Sequence, residues 1–111
     1  MNESATSAAG DAVTTQFLHL IDSTVWEVER VRAEIASSGQ YPGELSSADL
    51  TISNLAILKR LVLTDKLPRP SRGQVSNRAS LNISRQMGDW TDDDKLREAS
   101  YAVEDYYRQS M

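Results

Sequence analysis

The sequence predicts an all-α fold, a small bundle of two long and two shorter helices. Apolar residues recur at alternating steps of three and four over long stretches, and no stretch shows the strict alternation of a half-buried strand. The five Gly and three Pro of the 111 residues fall between those stretches rather than inside them. The intervals left between helices are brief, which favours neighbours packed side by side in a bundle. A chain of this length holds one domain and one compact core.

Residues 1–10 are small and polar and are expected to be a disordered tail, with residues 11–111 forming the single helical domain. From Asp11 to Ser38 there is neither Gly nor Pro, and Phe17, Ile21, Thr24, Val28, Val31 and Ile35 form a heptad-like seam. Gly39 supplies a stop, and Tyr41-Pro42-Gly43 reads as a turn. The second helix is expected to start near Ser46 or Ser47, with Ser46 and Asp49 at capping-box-like spacing, and to run to about Asp65. It carries two apolar faces. Ala48, Ile52, Leu55, Leu58, Val62 and Leu63 share the wider one, and Leu50, Ile57 and Leu61 lie about 140° away. Lys59, near the middle of the wider face, is expected to snorkel outward or to meet Glu27 or Glu34.

Leu67-Pro68-Arg69-Pro70-Ser71-Arg72-Gly73 then breaks the helix, because two prolines two apart cannot sit inside one. Residues 66–74 are therefore read as a stiff basic connector. A weaker third helix is expected over about Ser76 to Met87, packing through Ala79, Ile83 and Met87 and presenting Arg78, Leu81 and Arg85 on its other side. Thr91 is the expected cap of the fourth helix, with Asp92, Asp93 and Asp94 in the first turn and a stripe of Leu96, Ala99, Val103, Tyr106 and Tyr107.

Charge is unevenly distributed. Between Lys66 and Gly88 lie five basic residues, Lys66, Arg69, Arg72, Arg78 and Arg85, and no acid, in a chain of formal net charge -4. The rest is correspondingly acidic, most of all the segment holding Asp89, Asp92, Asp93, Asp94, Glu98, Glu104 and Asp105. Two uses follow: contacts from Arg69, Arg72, Arg78 and Arg85 to phosphates or an acidic partner, or pairing of the basic middle with the acidic end. Against nucleic acid stand the pI near 4.9 and the lack of an aromatic in 66–88 for base stacking. The order of helices resembles a helix-turn-helix only loosely, since the connector is longer than a three- or four-residue turn.

Zero cysteines remove disulfides and thiolate chemistry together and suit a reducing compartment; the start of the chain lacks the basic and apolar regions of a secretory signal. No apolar run approaches the roughly 18 residues of a membrane span. A cytoplasmic protein is the expectation. Its one histidine, His19, is not set in any nucleophile motif, and no phosphate loop, calcium loop or metal-ligand spacing is present. The sequence gives no reason to expect an enzyme, a cofactor, a metal or a membrane partner.

Trp26 falls on the back of the first helix, away from the seam and near His19 and Arg30. Trp and Arg dominate the energetic centres of interfaces. The expected function is a small regulatory module that binds another protein, such as a transcription regulator, through helix faces and blocks its assembly or activity. The expected contacts are Trp26, His19 and Arg30, with Leu50, Ile57 and Leu61. A homodimer through the first or second helix is compatible with the same spacing. The alternatives are a helical nucleic-acid module using residues 66–88 and a structural subunit of a larger assembly.

Overall fold

The computed structural model describes residues 11–39 and 42–111, so the expected tail at 1–10 lies outside the described residues. Helix α1 spans Ala12–Ser38, α2 Pro42–Leu63, α3 Ile83–Gly88 and α4 Asp94–Ser110, with a single 3-10 turn at Pro70–Arg72. The protein is an all-α bundle. Its principal extents are 55 × 28 × 19 Å. The shortest is about two helix diameters, so each long helix has neighbours on its inner side and solvent on its outer side.

α1 begins where the sequence places a cap. The Asp11 carboxylate accepts the Thr14 N–H at 2.6 Å, and Gly39 closes the helix in the left-handed region at φ 69°. Phe17, Ile21, Thr24, Val28 and Val31 are buried and Ile35 half-buried. α1 is the central helix, packed against α2 along one side and α4 along another, while α3 closes the ring by touching both α2 and α4. Phe17 stacks on Tyr106 and Tyr107, with ring centroids 5.9 and 6.2 Å apart. The Thr24 hydroxyl donates to the Leu20 carbonyl at 2.8 Å and also reaches the Ala99 carbonyl at 3.3 Å, which lets a polar residue sit in the α1–α4 seam.

Three boundaries differ from expectation. α2 starts at Pro42, a turn before Ser46, because proline suits the first helical position, where the missing N–H leaves no bond unmade. The third helix is only Ile83–Gly88. Residues 76–82 are instead held by side chains: Ser76 Oγ accepts the Arg78 N–H, Ser80 Oγ accepts the Asn82 N–H, and Glu104 accepts the N–H groups of Leu81 and Ile83. Serine side chains that bond nearby backbone compete with a helical ladder. Finally, Asp93 rather than Thr91 caps α4, accepting the Leu96 N–H at 3.0 Å, while Thr91 Oγ1 accepts the Asp93 N–H just ahead of it.

The connector is docked rather than free-standing. The Tyr107 hydroxyl donates to the Pro68 carbonyl at 2.6 Å, and the Ser71 hydroxyl donates to the Met111 carbonyl at 2.6 Å. Burial raises the Tyr107 phenol above its ordinary value, with the Glu104 charge adding to the effect. Among the described residues, no helix is long and apolar enough to cross a membrane.

Candidate interaction surfaces

The outer face of α1 exposes a large aromatic ring. Trp26 is 62% exposed, and among the described residues it makes no hydrogen bond or ring contact. It borders a groove of about 380 Å³ with His19, Asp22, Ser23 and Glu27, all from α1, because steps of three and four place them on one side of the helix. His19 is exposed beside it. Arg30, expected as a contact, is bound within the molecule. Its guanidinium reaches Glu27 at 2.8 Å, Glu34 at 3.0 Å and Asp93 at 2.6 Å, tying α1 to the α4 cap. These hydrogen bonds, Asp93's first, raise the Arg30 pKa well above its ordinary value. Partial burial pushes Asp93 upward, but the Leu96 N–H and the Arg30 guanidinium outweigh it and hold the carboxyl below the usual range.

Asp22 accepts from Lys59 at 2.8 Å, so Lys59 does extend outward but meets Asp22 rather than Glu27 or Glu34. Lys59 is on the second helix and Asp22 on the exposed side of the first, which places the pair at the rim of the α1–α2 contact. Beside Trp26 the groove holds two carboxylates, Asp22 and Glu27, each paired with a cation, Lys59 and Arg30 respectively.

α2 presents a second surface. Its inner face buries Ala48, Leu55, Leu58 and Val62 as expected, with Ile52 half-buried; Leu63, placed on the same face by the sequence, is 52% exposed at the helix end. The other stripe has Leu50 62% exposed, Ile57 55% exposed and Leu61 half-buried. The last helix does not cover this stripe, because α4 packs on α1 and α3 and makes no contact with α2 among the described residues. Ile57 and Leu61 instead border an apolar groove of about 210 Å³ with Leu58, Leu67, Leu81 and Ile83, which Asn54 and Gln86, hydrogen-bonded to each other, also line. Leu81 belongs to this groove and not to a charged face with Arg78 and Arg85, since no helix runs through residue 81.

The four arginines of the basic segment do not form one surface. Arg69 is buried and its Nη2 donates to the Thr14 hydroxyl at 2.7 Å; Thr14 in turn donates to Asp11. Arg72 pairs with Asp65 at 2.9 Å. Arg78 and Arg85 are exposed on separate elements, the loop and α3. No ion pair among the described residues joins any of the four to the acidic end of the chain. The end segment meets the basic one through backbone instead: Glu104, 2% exposed, accepts the Leu81 and Ile83 N–H groups, both at 2.8 Å.

A third depression, of about 360 Å³, is lined by Val31, Glu34, Ile35, Glu44, Trp90 and Asp92, among others. Trp90 is fixed there by its indole N–H, which donates to Thr51 at 3.2 Å. Neither the Glu104 clamp nor the Trp90–Thr51 bond has a signal in sequence spacing, since each joins positions more than twenty residues apart. Among the described residues, no three His, Asp or Glu side chains are grouped to hold a metal ion. Comparisons with protein-family models, curated proteins and solved structures find no match.

Proposed function

We propose that this chain is a small regulatory module that binds another protein through the outer face of α1 and, by covering that partner's own contact surface, blocks its assembly or activity. The observation that carries the reading is Trp26: a large ring left 62% exposed in a bundle that buries Phe17, Met87 and Tyr107 almost completely. Burying an exposed aromatic of this size at an interface is worth several kcal/mol at about 25 cal/mol per Å². The exposed indole face suits a partner segment bearing Lys or Arg, whose cation can lie over the ring. A transcription regulator is one such partner class, through the basic surface that contacts nucleic acid.

The test is site-specific photo-crosslinking in the cell of origin, with a photoreactive amino acid at position 26 and, as control, at exposed Tyr101 on α4. The expected result is one protein adduct formed from position 26 and absent from position 101. The purified partner should then bind the wild-type chain and lose at least about tenfold in affinity with Trp26→Ala. Equal labelling from both positions, or unchanged affinity of Trp26→Ala, would overturn the reading.

A further inference from the structure

We propose that the groove between the end of α1, the start of α2 and the segment leading into α4 is a second binding site, which takes an arginine side chain from a basic segment of a partner protein. The groove encloses about 360 Å³, within the range of ligand sites. Val31 and Ile35 give it an apolar wall from α1, and half-buried Trp90 supplies an aromatic one. The Trp90 ring is held by its edge. Its indole N–H donates to Thr51 Oγ1, and the Thr51 hydroxyl donates in turn to the Ser47 carbonyl at 2.9 Å. With that polar atom engaged inside the fold, what the ring offers to the groove is carbon and its π surface.

Charge selects the occupant. Four carboxylates line the groove, Glu34, Glu44, Asp92 and Asp93, and no basic side chain does. Two of them are engaged within the molecule, since Glu34 and Asp93 share the Arg30 guanidinium with Glu27. Glu44 and Asp92 are not. Among the described residues neither forms an ion pair, and Lys95, which acts on Asp93 from outside the groove, pairs with neither of them. A metal ion does not suit the arrangement, because no three carboxylates among the described residues are gathered closely enough to hold one. Negative charge spread around an apolar wall fits a cation that is itself delocalised and rides on a hydrocarbon stem. Arginine has both properties, and its planar guanidinium stacks on an indole while its N–H groups fork to carboxylates. The molecule shows the same grip at Arg30, one guanidinium bonded to three carboxylates.

The groove is open to solvent along its length and too shallow to enclose a free small molecule on most sides. A peptide segment can lie across it and insert one side chain, adding contacts along the rim. Trp26 lines a different groove, with none of these residues except through their common helix, so the two proposals stand or fall separately.

Trp26→Phe leaves Trp90 as the single tryptophan, so intrinsic fluorescence in that background reads the groove alone. The probe is a short blocked peptide of glycine and alanine with a central arginine, compared with the same peptide carrying citrulline, which keeps the shape and loses the charge. The expected result is a saturable change in Trp90 emission with a dissociation constant near or below about 1 mM, weakening as salt rises and at least about tenfold weaker for citrulline. Glu44→Gln and Asp92→Asn together should weaken binding of the arginine peptide by at least about tenfold with unchanged helical circular dichroism. Asp89→Asn, at an exposed acid outside the groove lining, should leave it unaltered. No saturable response up to about 10 mM peptide, or an equal response to citrulline, would overturn the proposal. So would an affinity unchanged by the double substitution, an equal loss with Asp89→Asn, or tetramethylammonium binding as tightly as the peptide, which would assign the groove to a free small cation.

Discussion

Glu104 shows how one side chain determines the course of a distant loop. Its two carboxylate oxygens are divided, Oε1 accepting from the Leu81 N–H and Oε2 from the Ile83 N–H, with Ser80 Oγ nearby and Arg108 3.6 Å from Oε1. Alanine at this position leaves both backbone donors without a partner in a buried setting. Glu104→Ala is therefore expected to lower stability by about 2–6 kcal/mol in urea unfolding, from roughly 1–3 kcal/mol for each of the two stranded groups. Glutamine has one acceptor oxygen and turns an NH2 group toward the other donor, so Glu104→Gln should also destabilise, by a smaller amount. A loss under about 1 kcal/mol for the alanine variant would show that the loop is held by other contacts. At Asp11 the Thr14 N–H, more than any other contact, holds the carboxyl below its ordinary value, with the Thr14 hydroxyl and Arg69 also lowering it against partial burial. A carboxyl lowered by folding contributes stability that is complete above its unfolded value near pH 4 and lost as pH falls through the lower folded value. Asp11→Ala should accordingly be less stable by about 1 kcal/mol near neutrality, and thermal melts should show the gap closing on acidification. A gap that stayed constant down to pH 2 would separate the cap from its charge.

At the scale of the helices, legibility followed the range of the interactions that decide them. α1 was readable end to end because its determinants are local: Asp11 before the first turn, an uninterrupted seam, and Gly39 at φ 69° after the last residue. Nothing lies within 4 Å of where a Cβ would stand on Gly39, so Gly39→Ala meets only the left-handed backbone strain and should lose about 1 kcal/mol in chemical unfolding. The third helix is shorter than its sequence pattern suggests because what unmakes it is remote. Asn82 takes φ 62°, a conformation no helix interior contains, and Glu104, more than twenty positions away, claims the N–H groups that a helix over 76–82 would have spent on its own carbonyls. Arg69 illustrates the same limit at the expected contacts. Composition marked it as surface charge, yet its guanidinium is turned inward onto Thr14. Periodicity sets Trp26 opposite the α1 seam and Leu50 on the second apolar face of α2, but which faces stay open is decided by where the other helices pack, and both residues are left exposed.

For the molecule as a whole, a bundle only 19 Å thick cannot surround any helix completely, and stability must be unevenly shared among its parts. α1 is flanked by both other long helices and carries Phe17, Ile21 and Val28 at zero exposure, whereas α3 is six residues long and buries Ile83 and Met87. A helix this short has almost no intrinsic stability and exists only while α4 and Glu104 hold it. Local opening should therefore begin at residues 76–88, and native-state hydrogen exchange is expected to show the lowest protection there and the highest along the middle of α1. Truncating Phe17, which stacks on both tyrosines of α4, should remove about 3–5 kcal/mol, a large share of the 5–15 kcal/mol typical of a domain. Because Phe17 belongs to the α1–α4 seam, Phe17→Ala should lower the protection of α1 and α4 together. If α4 alone lost protection while α1 kept its own, the bundle would consist of two separable helix pairs rather than one cooperative unit.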